Sequence, residues 1–249
     1  MIELLRGATL EVLGRHPYAS NQVFIVQCRG EGELRAIYKP VAGERPLWDF
    51  PRGELARREV ATYALSELLG LGLVPPTVWR EDGPLGPGSL QLWIEDAELT
   101  DVDIVQQPEA GWCAVLDAQL EDGTEVTVVH RDLPELRELA FFDAVLNNGD
   151  RKAGHMLRDA QGRLWAVDHG VTFHADPKLR TVLWGFRGEA VADALLDRLG
   201  ALDVELPELR SALDAKELRA LQERAQGLLR ARAYPDPSDE WPAIPWPIY

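Results

Sequence analysis

A chain of 249 residues with a formal charge of -15 can hold one large domain or two lobes sharing a cleft, and its charge opposes nucleic acid and anionic lipid at long range. Its two cysteines, Cys28 and Cys113, lie far apart with no second thiol at metal or redox spacing, which argues against a disulfide framework and a zinc site. No segment approaches the roughly 20 apolar residues needed to span a bilayer, so the expectation is a cytoplasmic protein with no nucleic-acid partner and no stable membrane association.

Period-two alternation with β-branched residues predicts an antiparallel meander over Ala8 to Leu13, Val23 to Val26 and Leu34 to Lys39, with a polar turn from Gly14 to Asn21. From Leu55 to Leu69 the period lengthens to that of a helix, with Ala56, Val60, Ala61, Ala64, Leu65 and Leu68 on one stripe and Gly70 ending it. Ser89 to Ile94 reads as a strand leaving a Pro/Gly-rich turn. The pattern then loosens as far as a hairpin expected around Asp122-Gly123. Leu133 to Leu146 is helical, with Pro134 in the first turn and Asn147-Asn148-Gly149 stopping it. Two short strands follow, Met156 to Arg158 and Leu164 to Val167. Ala190 to Ala233 is mostly helical, and the Trp/Pro tail from Tyr234 to Tyr249 is expected to pack on its own body.

Two carboxylates sit where those late elements end. Asp150 follows the helix in Asn148-Gly149-Asp150-Arg151-Lys152, and Asp168 ends a strand in Val167-Asp168-His169-Gly170. Phosphoryl transfer is largely positioning and charge neutralisation. It needs a group that orients or deprotonates the acceptor, a metal-holding carboxylate, and a cation on the nucleotide phosphates. Lys39, at the end of a strand, and Glu59, inside the next helix, supply the remaining parts in the expected order. Taken alone, Lys39 is equally an edge-strand lysine, and Glu59 equally a helix carboxylate paired with Arg57 or Arg58.

Gly149-Asp150-Arg151 resembles the catalytic loop of phosphatidylinositol 3- and 4-kinases, and Ala166-Val167-Asp168-His169-Gly170 resembles their metal turn. Tyr38-Lys39-Pro40, Arg58-Glu59-Val60-Ala61 and Gly88 to Leu92 are similar to the lysine strand, helix glutamate and hinge strand of type II phosphatidylinositol 4-kinases. Over nearly its full length the chain is similar to an actinobacterial phosphatidylinositol 3-/4-kinase-like family. The resemblance implies an α+β, bilobal protein-kinase-like or lipid-kinase-like fold. An antiparallel N-lobe sheet with one helix would occupy residues 1–93, and a mainly helical C-lobe with the Trp/Pro tail residues 94–249. It implies ATP and Mg2+ or Mn2+ as cofactors, with Lys39 held by Glu59 on the phosphates and Gln91, Leu92 and Trp93 as the adenine hinge. Asp168 would hold the metal, and Asp150 with Lys152 would form the catalytic pair. Ser20 and Asn21 are candidates for cradling phosphate from the hairpin tip, or simply form a turn.

The chain departs from the pattern at His155, five residues after Asp150, where kinases place a metal-binding asparagine. An imidazole favours manganese over magnesium, or His155 is a bystander and Asp168 suffices. Lys152 matches protein kinases rather than lipid kinases, so the phosphate acceptor is left open, with protein or a small polar metabolite favoured over lipid. Two other functions fit the same residues. One is a nucleotide-binding pseudokinase without turnover. The other is a metallohydrolase built from His130, His155, His169, His174, Asp150 and Asp168. Lys178, Arg180 and Arg187 fall in the expected activation or substrate segment, as anion binders or as solvated charges.

Overall fold

The computed structural model describes residues 1–17, 21–50, 54–95 and 97–249. A short helix, α1 (Ile2–Gly7), leads into β1 (Thr9–Arg15), β2 (Phe24–Arg29) and β3 (Glu33–Pro40). These form the antiparallel meander that the alternation predicts, and β4 (Thr77–Arg80) and β5 (Gly88–Leu92) extend it in the order β1-β2-β3-β5-β4. One face of the sheet closes over α1 through Leu5, Val26, Cys28, Ala36, Tyr38, Val78 and Leu90. Successive side chains of a strand point to opposite faces. Lys39, next to buried Tyr38, is therefore turned to the other face, where α2 (Leu55–Leu68) lies. The sequence pattern signals neither α1 nor β4, because six and four residues are too few for a periodicity to declare itself.

The expected apolar stripe of α2 is corrected by the structure. Ala56, Ala61 and Leu65 are buried, but Val60 and Ala64 are only partly covered and Leu68 is exposed, while Arg58, Glu59, Thr62 and Ser66 take the inner face. A helix wedged between a sheet and a polar cleft satisfies both, so its inner face is mixed.

Beyond Trp93 the chain first builds a second sheet from β6 (Val102–Val105), β7 (Trp112–Gln119) and β8 (Glu125–Arg131) in the order β6-β8-β7. The hairpin at Asp122-Gly123 joins β7 to β8, with Gly123 at φ 85° in the left-handed conformation that suits glycine. Next come α3 (Pro134–Leu146), the antiparallel pair β9 (Met156–Arg158) and β10 (Leu164–Ala166), α4 (Asp193–Leu199), α5 (Pro207–Ala212) and α6 (Ala215–Ala231). Phe141, Phe142, Phe173, Leu183, Phe186, Leu196 and Leu221 centre this larger core. The result is a bilobal kinase-like fold whose second lobe is helical apart from two small sheets.

Arg35 and Glu95 pair at the lobe junction. Behind it, the Ala166 amide donates to the Leu73 carbonyl at 2.8 Å. The tail packs on its own body. The Ala243 carbonyl accepts from the Thr181 amide at 3.1 Å and from Trp184 Nε1 at 2.8 Å, and the Ile248 carbonyl accepts from the Ala153 amide at 2.8 Å. Among the described residues no helix is long and apolar enough to cross a membrane.

Candidate functional site

Lys39 is the meeting point. Its Nζ donates to Glu59 Oε1 at 2.5 Å and to Asp168 Oδ1 at 2.9 Å, joining β3, α2 and the turn after β10. Burial works against a charged lysine, but the Asp168 and Glu59 carboxylates outweigh it and push the ammonium above its ordinary range. Lys39, in turn, is the main reason the Asp168 carboxyl is held well below the usual carboxylate range, with His155 adding to the effect. Glu59 is nearly enclosed, whereas the Asp168 side chain is 54% exposed. Asp168 also has φ 60°, a conformation that a non-glycine residue adopts at some cost. The turn is held in place by the Val167 amide, which donates to the His155 carbonyl at 3.0 Å, and by the Val167 carbonyl, which accepts from Arg151 Nη1 at 2.9 Å.

Asp150 is delivered by the end of α3. Asn147 terminates that helix in the left-handed conformation, φ 54°, which asparagine tolerates better than most residues. The Asn148 side chain then accepts from the Asp150 amide at 3.0 Å. Burial raises the Asp150 carboxyl above its ordinary value, with Lys152 opposing and Asp168 reinforcing the shift. Lys152 Nζ stands 3.5 Å from Asp150 Oδ2. His155 Nε2 is 3.4 Å from Asp168 Oδ2, and burial above all lowers its pKa to about 4. At neutral pH it is an uncharged ring with a nitrogen toward Asp168. That imidazole and carboxylate are the neighbouring nitrogen and oxygen donors of the site, and among the described residues no cluster of three or more His, Cys, Asp or Glu residues could hold a metal ion.

A buried network that the sequence reading missed underlies both loops. The Arg151 guanidinium grips Asp143 through Nε to Oδ2 at 2.9 Å and Nη2 to Oδ1 at 3.0 Å, and Asn148 Nδ2 donates to the same carboxylate at 2.9 Å. Arg151 Nη2 also donates to His169 Nε2 at 2.7 Å, so His169 is neutral with its proton on Nδ1, and burial with Arg151 holds its pKa well below the ordinary value. One arginine thus ties the Asp150 loop to the Asp168 turn. Asp143, a carboxylate inside the apolar run Leu139 to Leu146, is the sequence signal that marks this network.

Other expected residues fall elsewhere. Ser20 lies outside the described residues. Asn21 Oδ1 accepts from the Arg45 amide at 2.8 Å, which pins the hairpin to the loop after β3. Gln91 Nε2 donates to Thr77 Oγ1 at 2.8 Å, the Leu92 amide to the Pro76 carbonyl at 2.9 Å, and the Trp93 amide to the Arg35 carbonyl at 3.0 Å. Those main-chain donors are already engaged within the N-lobe. Lys178 is buried in an ion pair with Asp49, between the rings of Trp48 and Trp241 at 4.5 and 4.6 Å. Arg180 acts electrostatically on Asp150, while Arg187 is exposed. His174 meets Phe50 edge-on and accepts from the Asp176 amide at 3.0 Å.

His130 packs on the Phe186 ring, with centroids 4.5 Å apart. Its Nδ1 contacts the Arg131 carbonyl at 2.9 Å and so must carry the proton, which leaves Nε2 to accept from the Gly185 amide at 3.1 Å. Burial lowers its pKa. Between that lowered value and the unfolded value of about 6.5, the unfolded chain binds more protons, so stability falls as pH drops below that value. His130→Gln is expected to flatten the loss of Tm between pH 7 and pH 5. An unchanged slope in a melting series would remove His130 from the acid response.

A cavity of about 450 Å³ lies on the far side of α3, lined by Ala144, Trp184, Arg224, Gly227 and Tyr234 among others, and touches none of the cleft residues. Lys39, Glu59, Asp150, His155 and Asp168 are not among its lining residues.

No protein-family model matches the chain. Among solved structures it is similar to Golgi casein kinase with Mn/ADP bound, with a TM-score of 0.56 at 13% identity over 92% of this chain and 74% of that one. A second Golgi casein kinase structure gives a TM-score of 0.54 at 13% identity, over 92% and 72% of the two chains. Hydra Fam20 with sugar gives 0.52 at 16% identity, over 92% and 86%. At such identities the likeness is one of fold. Protein Rv2133c of Mycobacterium tuberculosis (strain ATCC 25618 / H37Rv) is 43% identical over 264 residues, covering 99% of this chain and 94% of that protein. With a kinase-like fold and this identity along its whole length, the chain belongs to the family of Protein Rv2133c.

Proposed function

We propose that the protein is a metal-dependent phosphotransferase that moves the γ-phosphoryl group of ATP to a hydroxyl acceptor. The observation that carries this is Lys39, which bridges Glu59 and Asp168 at 2.5 and 2.9 Å across 20 and 129 residues of sequence. In this reading the Lys39 ammonium meets the nucleotide phosphates while Glu59 fixes its direction. Asp168 and His155 would hold a divalent cation that neutralises phosphate charge. A kinase-fold neighbour with Mn/ADP bound supports manganese as the first metal to try. The acceptor oxygen bonds to the γ-phosphorus as the bond from that phosphorus to the β–γ bridging oxygen breaks. ADP leaves, and the acceptor's proton passes to Asp150. A carboxyl raised above its ordinary value is the better base. Lys152, beside Asp150, offers a cation to the phosphoryl group in transit.

Adenine would meet main chain past Trp93, from Ile94 on, where the two lobes divide. Lys152 and the negative overall charge favour a protein or small polar metabolite in the cytosol as acceptor, and the phosphatidylinositol-kinase likeness is read as ancestry. Asp150→Asn is expected to lower transfer by roughly 10²- to 10⁴-fold while ADP–manganese binding stays within about twofold. ATP consumption and calorimetry on the same samples check both, and unchanged turnover would sink the assignment. A second reading rests on His155. Stabilisation by ADP and manganese with no ATP consumed by the wild type would make the protein a silent nucleotide binder.

A further inference from the structure

Arg58 stands next to Glu59 on α2 and is fully buried, with partners different from those of Glu59. Its Nη1 donates to the Thr172 carbonyl at 2.6 Å, and its Nη2 to Glu217 Oε1 at 2.7 Å and Glu54 Oε2 at 3.1 Å. The guanidinium lies over the Phe50 ring, 4.9 Å from its centroid. Glu217 belongs to the capping box of α6. Its other oxygen accepts from the Asp214 amide at 3.1 Å, while the Asp214 side chain caps the amides of Lys216 and Glu217. Thr172 lies shortly after Asp168, and its hydroxyl donates to the His169 carbonyl at 2.8 Å. A single side chain therefore joins the Glu59 helix, the start of a C-lobe helix and the segment leaving the Asp168 turn.

Buried ion pairs of this kind add little net stability, because desolvation offsets attraction, but removing one partner strands a charge. That asymmetry makes Arg58 a lock. Rotating or sliding α2 would pull the guanidinium off the Thr172 carbonyl and Glu217 together, at a site where the Arg58 and Glu217 side chains are both buried. One turn further on, Thr62 Oγ1 and Thr172 Oγ1 meet at 3.5 Å, so the contact continues along the helix.

We infer that Arg58 and Glu217 are positioning residues that fix the register of α2, so that Glu59 meets Lys39 and Asp168 before any ligand binds. The site is then preassembled by the C-lobe and needs no modification of the segment after Asp168 to align it. The inference rests on the phosphotransferase reading for what the aligned residues do, but not for the alignment itself.

Arg58→Met, Glu217→Met and the double variant test it. Three quantities are measured: Tm, hydrogen exchange of the α2 amides, and ATP turnover with MnCl₂. Arg58→Met is expected to speed exchange in α2 and to lower turnover at least tenfold. The double variant leaves only the part-exposed Glu54 without its cation and is expected to recover most of the lost Tm, but neither the exchange protection nor the turnover. Wild-type turnover in the double variant, or wild-type α2 exchange in Arg58→Met, would overturn the inference. If the wild type neither binds ADP–manganese nor consumes ATP, the phosphotransferase reading fails. The exchange measurement still decides for or against Arg58.

Discussion

Asp168→Asn is expected to lower ATP turnover by on the order of 10³-fold, the scale on which removing one preorganised electrostatic contact acts in catalytic sites. The reasoning starts from charge. Lys39 holds the Asp168 carboxyl below the usual range and Asp168 keeps Lys39 above its own. The pair therefore stays charged across neutral pH. Its contribution is lost only as pH falls through the lowered carboxyl value or rises through the raised lysine value. Asparagine keeps the shape and removes the charge. Lys39 then has only Glu59, and the imidazole of His155 loses the carboxylate 3.4 Å away with which it would share a cation. Manganese dependence reports on this directly. The variant should show weaker coupling between manganese and ADP binding in calorimetry, besides the loss of turnover. Retention of more than a tenth of wild-type turnover would exclude Asp168 from the chemistry.

Local signals carried most of the fold, and the site's outline came with them. Strand alternation, the proline that opens α3 and the asparagines that end it are properties of adjacent residues, so β1 to β3, α2, α3 and the β9–β10 pair could be read directly. Lys39, Glu59 and Asp168 were expected together from their order along the chain and the kinase resemblance, not from any one of them alone, and their side chains do meet. What stayed hidden was long-range partnering. Arg58 looks like any helix arginine until Glu217 is placed beside it, 159 residues away. Lys178 read as an anion binder or a solvated charge, yet Asp49, 129 residues earlier, takes its charge. The hinge residues carry the right chemistry, but sheet pairing with Pro76 and Arg35 uses their amides, and nothing in a single strand announces which neighbours it will have. His130 and His174 joined a conceivable metal cluster only because composition does not say where side chains point.

The largest expected effect on stability belongs to Arg151. Both it and Asp143 are fully buried, and the carboxylate depends on a two-pronged guanidinium contact and on Asn148. Arg151→Met leaves a charge in the core with one amide donor, which typically costs about 3–5 kcal/mol. For a chain of this size that corresponds to a Tm lower by roughly 6–20 °C. The Val167 carbonyl loses its Arg151 donor and the His155 carbonyl keeps only the Val167 amide, so the Asp168 turn loosens and metal-dependent ADP binding should weaken with it. Asp143→Leu combined with Arg151→Met is expected to melt closer to the wild type, because no ion is left unpaired, while ADP binding stays impaired because the two loops are no longer tied together. Thermal melts of the three proteins, with ADP–manganese titrations, separate the two contributions. A double variant that binds ADP–manganese like the wild type would show that Arg151 serves the core alone.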